Sequence, residues 1–298
     1  MTVGAGLPIR RARLADWSRE APQQIDAQGN PSWIVRAAHF VVVATAITGH
    51  RPVAALARDG DTEESMLIVP PGVSVLVEAG GERAESVGDT LFILPPGSSR
   101  ARLRGDGMAL QVLSHLARDV CALASNRSDY AGDCADVAPA TRWPAPCGGY
   151  RLRTYPLARY GGGGNMARVF RSTNLMVNVM SAYEAPRDPR ALMPHAHADY
   201  EQITLCMAGR FVHHLRAPWL PDSTSWRDDE HLGVESPSAL VIPPRLVHTT
   251  QAMDRGCRLI DVFGPPRLDF SRVEGLVRNH QEYPMPEETG TAAAAPTQ

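Results

Sequence analysis

MPHAHADYEQITLCMAG, residues 193–209, sets His195 and His197 two positions apart, places Glu201 four positions further on, and closes on Gly209. On an extended strand alternate side chains share a face, so His195, His197, Asp199 and Glu201 are expected to project together. Two neutral imidazoles and a carboxylate on one face make most of a metal site. The missing donor is expected from His248, which follows the strand-like run ALVIPP at 239–244. A divalent ion held by three histidines and one glutamate keeps positions open for water or substrate, as a catalytic site requires.

Outward from this stretch the chain reads as mostly β. Its 25 prolines and 25 glycines punctuate short runs rich in Val, Ile, Leu and Met. Strand-like runs fall at 39–47, 65–70, 73–79, 89–95, 108–114, 174–181, 201–208, 239–244 and 257–263. Helix-compatible spacing is confined to LARDVCALAS (116–125) and DFSRVEGLVRN (269–279).

The two halves repeat. RAAHFVVV (36–43) aligns with RSTNLMVN (171–178) at an offset of 135, and EESMLIVPPG (63–72) with YEQITLCMAG (200–209) at 137, which pairs Glu64 with Glu201. DTLFILPPGSSR (89–100) aligns with PSALVIPPRLVH (237–248) at 148, so the second half carries an insertion that includes APWLPDSTSWRDDEH (217–231). The run 128–149 has linker composition. The expected organisation is an N-terminal unit at 30–127, a C-terminal unit at 150–280, and a disordered tail at 281–298 that ends in EETGTAAAAPTQ.

The pattern His195-x-His197-x3-Glu201-x7-Gly209, followed by Pro243-x4-His248, resembles the two sequence motifs of the cupin superfamily. With the repeat, the chain resembles a bicupin, an all-β protein of two tandem cupin-type jelly-roll barrels with a few short helices. The resemblance covers roughly 36–120 and 168–270. It implies that His195, His197, Glu201 and His248 bind one divalent transition metal inside the second barrel. At the position where the family's second motif has glycine, Arg245 stands instead. In the first half the matching positions hold Arg58, Gly60 and Arg100, with only Glu64 kept, so that barrel is expected to be degenerate and without metal ligands. Either an ion pair between Glu64 and Arg100 replaces the metal there, or both side chains reach solvent at the barrel mouth.

Composition excludes several function classes. A net charge of -2 offers no field for a phosphate backbone or an anionic membrane, so neither a nucleic-acid nor a membrane role is expected. All 30 basic residues are arginine, which removes Schiff-base, pyridoxal and phosphate-loop lysine chemistry. The five cysteines have no CxxC spacing and no look of a disulfide framework, which fits a reducing cytoplasm. Gly161 to Gly164 lacks the lysine of a phosphate loop.

If Ala208-Gly209 form a two-residue hairpin turn, inward parity passes to His214 and Arg216, candidates for a proton carrier and an anion clamp. A one-residue shift would substitute His213. The insertion with Trp219 and Trp226 is either a lid or a solvated loop, and its polarity favours the loop. No residue is assigned as catalytic acid or base. The expected function is a metal-dependent enzyme acting on a small oxygen-rich organic acid or enediol-type compound, with dioxygenase-type oxidoreductase chemistry first. The alternatives are a metal-binding cupin with a ligand-binding or sensing role, and a non-redox isomerase or lyase. The metal is open among Mn, Fe, Co, Ni, Cu and Zn: Fe suits the oxidative reading, and Zn, Mn or Ni the others. The resemblance and exposed sheet edges both point to a homodimer.

Overall fold

The structure is a computed structural model, and it describes residues 6–49, 54–161 and 166–287. The remaining positions, including most of the Gly161–Gly164 run and of the expected tail, lie outside the described residues.

Continuous buried runs such as Phe40–Ile47 and Thr90–Leu94 make strands of the large sheets, runs that alternate buried and exposed residues such as Val73–Ala79 and Gly97–Gly105 make strands of the small ones, and their pairing gives two sheets in each half. In the first half a seven-stranded sheet runs in the order Arg153–Pro156, Thr90–Leu94, Ser65–Val69, Gly107–Ser114, Phe40–Ile47, Pro31–Arg36, Gln24–Ile25. A four-stranded sheet of Ala54–Asp61, Gly97–Gly105, Val73–Ala79 and Glu82–Val87 faces it. In the second half the six-stranded sheet is Arg13–Asp16, Ser238–Ile242, Gln202–Ala208, Arg258–Phe263, Met176–Val179, Val169–Arg171. Its partner holds Glu230–Val234, Phe211–Arg216 and Val247–Ala252. These are two jelly-roll barrels in tandem. Helix is limited to short pieces such as Arg118–Cys121 and Leu268–Arg272.

The halves trade strands. Arg13–Asp16, from the start of the chain, pairs antiparallel with Ser238–Ile242 of the second barrel, Arg13 opposite Val241 and Asp16 opposite Ser238. Arg153–Pro156, which follows the linker, pairs in the matching register with the first barrel, Arg153 opposite Ile93 and Pro156 opposite Thr90. Each barrel is therefore edged by a strand supplied by the other half of the chain, and residues 153–156 lie in the sheet of the first barrel.

Where each face of a strand looks decides its composition. The large sheets of the two barrels pack against each other through one core that includes Met66, Ile68, Val112, Ile203, Leu205 and Val262. The opposite face of the first large sheet, with Leu67, Phe92 and Leu94, closes on Val75, Val77 and Leu103 of the small sheet to fill that barrel with hydrocarbon. Burying each such side chain contributes about 1.5–3 kcal/mol. The second barrel differs, because its strand Gln202–Ala208 turns Gln202, Thr204 and Cys206 inward while Ile203 and Leu205 join the shared core.

The same alternation carries Glu64 and Glu201, one position before the strands and in phase with Met66 and Ile203, into the seam between the barrels. The Glu64–Arg100 pair does not form: Arg100 is exposed. Glu64 instead accepts hydrogen bonds from the Thr173 N–H (3.0 Å), the Thr173 hydroxyl (2.9 Å) and the Tyr283 hydroxyl (2.8 Å) of the other half. Tyr283, placed in the expected tail, is thus buried in the fold. The tail expectation fails here because it rested on composition further along, not on the aromatic that anchors the segment.

The expected hairpin across Ala208-Gly209 is also absent. Gln202–Ala208 and Phe211–Arg216 belong to different sheets, and the chain turns a barrel corner between them. Gly209 permits the corner: its φ is +83°, and a Cβ there would lie 2.4 Å from the Cys257 Sγ.

Candidate metal centre

His195 and His197 from one segment of the second barrel and His248 from another converge. The His195 N–H donates to the His248 carbonyl (3.1 Å) and the His248 N–H to that of His195 (2.8 Å), which ties the two segments side by side. The turn between Pro243 and His248 is held by Arg245, whose φ is +65° and whose N–H donates to the His197 carbonyl (2.6 Å). That is the left-handed conformation a glycine would take freely, here adopted by arginine.

The three rings are set for coordination. Among the described residues they offer ligand nitrogens that all lie within 4.8 Å of one another. The His195 Nδ1–H donates to the Met193 carbonyl (3.1 Å) and the His248 Nδ1–H to the Leu246 carbonyl (2.9 Å). A carbonyl only accepts, so in the neutral rings each Nε2 carries a lone pair. The Nε2 of His248 is buried and has no hydrogen-bond partner. Burial, with the charge of neighbouring His195 and Arg267, holds His248 down to about 4, and burial with the charge of His248 and Arg267 holds His197 down to about 2. Both are therefore neutral at physiological pH, the form that binds metal. An orphaned buried nitrogen and three convergent imidazoles fit a divalent transition metal.

Glu201 is not brought to this cluster. Its carboxylate accepts from Arg10 Nη2 (2.6 Å), the Tyr130 hydroxyl (3.0 Å) and the Ala38 N–H (2.5 Å), all on the seam side of the sheet. The reason is local: residues 198–200 bend before the strand starts at Gln202, so the alternation assumed from His195 onward is broken. Gln202 faces the histidines instead. Its Oε1 lies 2.8 Å from the His197 Nε2, and its amide nitrogen donates to Asp261 Oδ1 (2.8 Å) and Thr204 Oγ1 (2.7 Å). Asp261 is half-buried at the cavity wall, and burial pushes it up to about 6.

The pocket candidates on the next strand shift by one. With no hairpin, Phe211, His213 and Leu215 point inward, and His213 is buried, its Nδ1 2.9 Å from Thr250 Oγ1. His214 lies on the outer face against His231 (2.7 Å), and Arg216 pairs with Asp229 (2.5 Å) at the surface. The inserted Trp219 and Trp226 stack on each other in solvent and do not line the cavity above the histidines.

That cavity, about 820 Å³, has His195, His248 and Gln202 at its polar end and Met180, Tyr183 and Leu259 among its apolar walls. Arg187 also lines it. One of its nitrogens, Nη1, donates to the Thr250 carbonyl (2.9 Å), while Nε and Nη2 are left for a ligand. Sequence reasoning missed Arg187, Gln202 and Asp261. The alternation of Ile203 and Leu205 with Thr204 did carry the signal for Gln202.

Tandem jelly rolls with a histidine cluster inside the second define a bicupin fold, and the chain has it. No protein-family model matches the chain, and no curated protein matches it in sequence. Solved structures share its fold. The Ylba protein from E. coli is 12% identical with a TM-score of 0.55, over 88% of this chain and 96% of that one. A Lactobacillus farciminis oxalate decarboxylase, solved as a formate complex, is 14% identical with a TM-score of 0.55, over 85% of this chain and 86% of that one. A Bacillus subtilis oxalate decarboxylase, described with Mn(II) centers, is 13% identical with a TM-score of 0.52, over 84% of this chain and 76% of that one. Among the described residues no helix is long and apolar enough to cross a membrane.

Proposed function

We propose that the protein is a metal-dependent enzyme that acts on a small, oxygen-rich organic acid in the cavity of the second barrel. The observation that carries this reading is the convergence of three imidazoles, those of His197 and His248 held neutral by burial, at the polar end of a cavity that also presents the Arg187 guanidinium. A bound divalent ion would supply Lewis acidity toward a chelating oxygen, or redox chemistry if it is iron. His195, His197 and His248 would hold it. Arg187 meets a substrate carboxylate with two donors in a fixed fork and sets its orientation. Met180, Tyr183 and Leu259 keep water from the rest of the bound molecule and so strengthen those polar contacts.

Dioxygenase-type cleavage is the finer reading, and decarboxylation the second, supported by the oxalate decarboxylases among the similar folds. One experiment separates them. Protein purified in its native metal state is offered a panel of small acids, including oxalate and enediol-forming compounds, while net oxygen uptake and carbon dioxide release are followed. Oxygen uptake with turnover supports the dioxygenase, and carbon dioxide release without net uptake supports the lyase. Absence of bound metal after native purification and reloading would end both.

A further inference from the structure

We infer that Gln202, not a carboxylate, is the fourth protein donor of the metal centre, so the protein's donor set carries no charge and the site selects a chelating dianion as its ligand. The inference rests on the metal-centre reading above.

The orientation of the Gln202 amide is dictated by its neighbours. Asp261 Oδ1 and Thr204 Oγ1 both lie within hydrogen-bond distance of one end of the amide, at 2.8 and 2.7 Å. The Thr204 hydroxyl itself donates to Asp261 Oδ1 (2.8 Å), so its oxygen is left to accept. Only the NH2 end can satisfy two acceptors, so the carbonyl oxygen must face His197, where it accepts from the Nε2–H whose proton a metal would displace. Gln202 is buried and lines the cavity beside His195 and His248, so its oxygen is presented where the imidazoles converge. Glu201, the nearest carboxylate in sequence, is held on the other face of the sheet by three donors.

Three imidazoles and an amide leave the full double charge of a divalent ion uncompensated by its donors. A glutamate would have halved it. The compensating charge then comes from the ligand, and Arg187 on the cavity wall adds a further positive charge that favours the same choice. Asp261 also borders the cavity, and its carboxylate offsets one of these three positive charges while its Oδ1 is engaged by the Gln202 amide and the Thr204 hydroxyl, which leaves two for the ligand to answer. A compact dianion that binds through two oxygens, such as a short dicarboxylate or the enediolate of a hydroxy acid, answers both charges at once.

The test uses the full chain loaded with Mn(II), with oxalate as the chelating dianion and acetate as the single-charge control. Mn(II) affinity is read by chelator competition, and anion affinity by calorimetry and by the change in the Mn(II) electron paramagnetic resonance signal. Gln202→Glu is expected to bind Mn(II) about tenfold more tightly and oxalate about tenfold more weakly, and Gln202→Leu to lose about tenfold in Mn(II) affinity. Glu201→Gln is expected to match the parent in both. If both Gln202 variants stay within twofold of the parent while His248→Ala abolishes metal binding, the metal reading stands and this inference falls. Loss of Mn(II) affinity in Glu201→Gln, or acetate bound as tightly as oxalate, also overturns it. If His248→Ala leaves Mn(II) binding intact, the metal reading itself fails.

Discussion

Glu64 and Glu201 are counterparts that cross: each leaves its own barrel and is received by the other. Glu64 accepts the Thr173 N–H and the Tyr283 hydroxyl, and Glu201 accepts the Ala38 N–H and the Tyr130 hydroxyl. Ala38 and Thr173 align in the repeat. The frame around them is duplicated too, since Asn126 exchanges two hydrogen bonds with the Arg36 backbone and Asn279 does the same with Arg171. Where a metal-binding barrel would turn a glutamate inward, both halves use theirs as a bolt across the seam.

Removing either bolt strands buried donors. Glu64→Ala and Glu201→Ala are each expected to cost about 2–4 kcal/mol, because a buried hydroxyl and N–H lose a charged acceptor. Denaturant unfolding measures the cost. Metal content is expected to survive Glu201→Ala in the folded fraction, which a ligand role would not allow.

The metal centre makes a simple division among histidines. His195→Ala and His248→Ala are expected to reduce bound metal from about one per chain to near none by elemental analysis, while His214→Ala and Arg216→Ala retain it. Chelation of the parent protein should lower its stability by about 2.7 kcal/mol relative to metal at a hundredfold excess over its dissociation constant. An unchanged unfolding midpoint after chelation would count against a site built into the fold.

Acid should weaken the chelated protein in a defined window. Burial holds His213 and His248 down to about 4, against about 6.5 in the unfolded chain. Below about pH 6.5 the unfolded state binds protons that the native state refuses, so stability falls as pH drops and levels off below about 4. Each histidine contributes on the order of a few kcal/mol to that fall. His213→Gln is expected to show a shallower loss between pH 6.5 and 4.5 in denaturant titrations, and an identical slope would assign the effect elsewhere.

Two backbone positions with positive φ should respond in opposite directions. Gly209→Ala is expected to destabilise by more than 2 kcal/mol, since the added Cβ meets the Cys257 Sγ. Arg245→Gly is expected to gain about 0.5–1 kcal/mol by relieving the left-handed turn, offset in part by the lost bond from its Nη1 to the Leu7 carbonyl. Thermal unfolding of the two variants beside the parent decides both.

Arg187→Ala is expected to raise KM for an acidic substrate, or the dissociation constant of a bound acid, by about ten- to a hundredfold while leaving metal affinity unchanged. An equal loss in both would make Arg187 a support of the fold instead of an anion contact.

Much of this was legible in the chain itself. Regular punctuation and repeat offsets disclosed the strands and the tandem arrangement, and the spacing of His195, His197 and His248 disclosed the convergent rings. Glu201 was misplaced because period-two reasoning holds only along a continuous strand, and the chain bends at 198–200 before Gln202 begins one. His214 and Arg216 were misplaced because a tight turn in sequence does not reveal whether its two strands pair or part into different sheets. The crossed glutamates and Tyr283 were out of reach, since the nearest of their partners in sequence, Tyr130 for Glu201, lies 71 residues away and the others more than a hundred.

The reciprocal loan of Arg13–Asp16 and Arg153–Pro156 has a consequence for how the protein can be handled. Cutting the gene at the linker would hand each fragment the edge strand that its neighbour needs and withhold its own. The fragments should stay insoluble when produced alone and regain structure only when produced together, so the half with the histidine cluster is no portable module despite its complete set of rings.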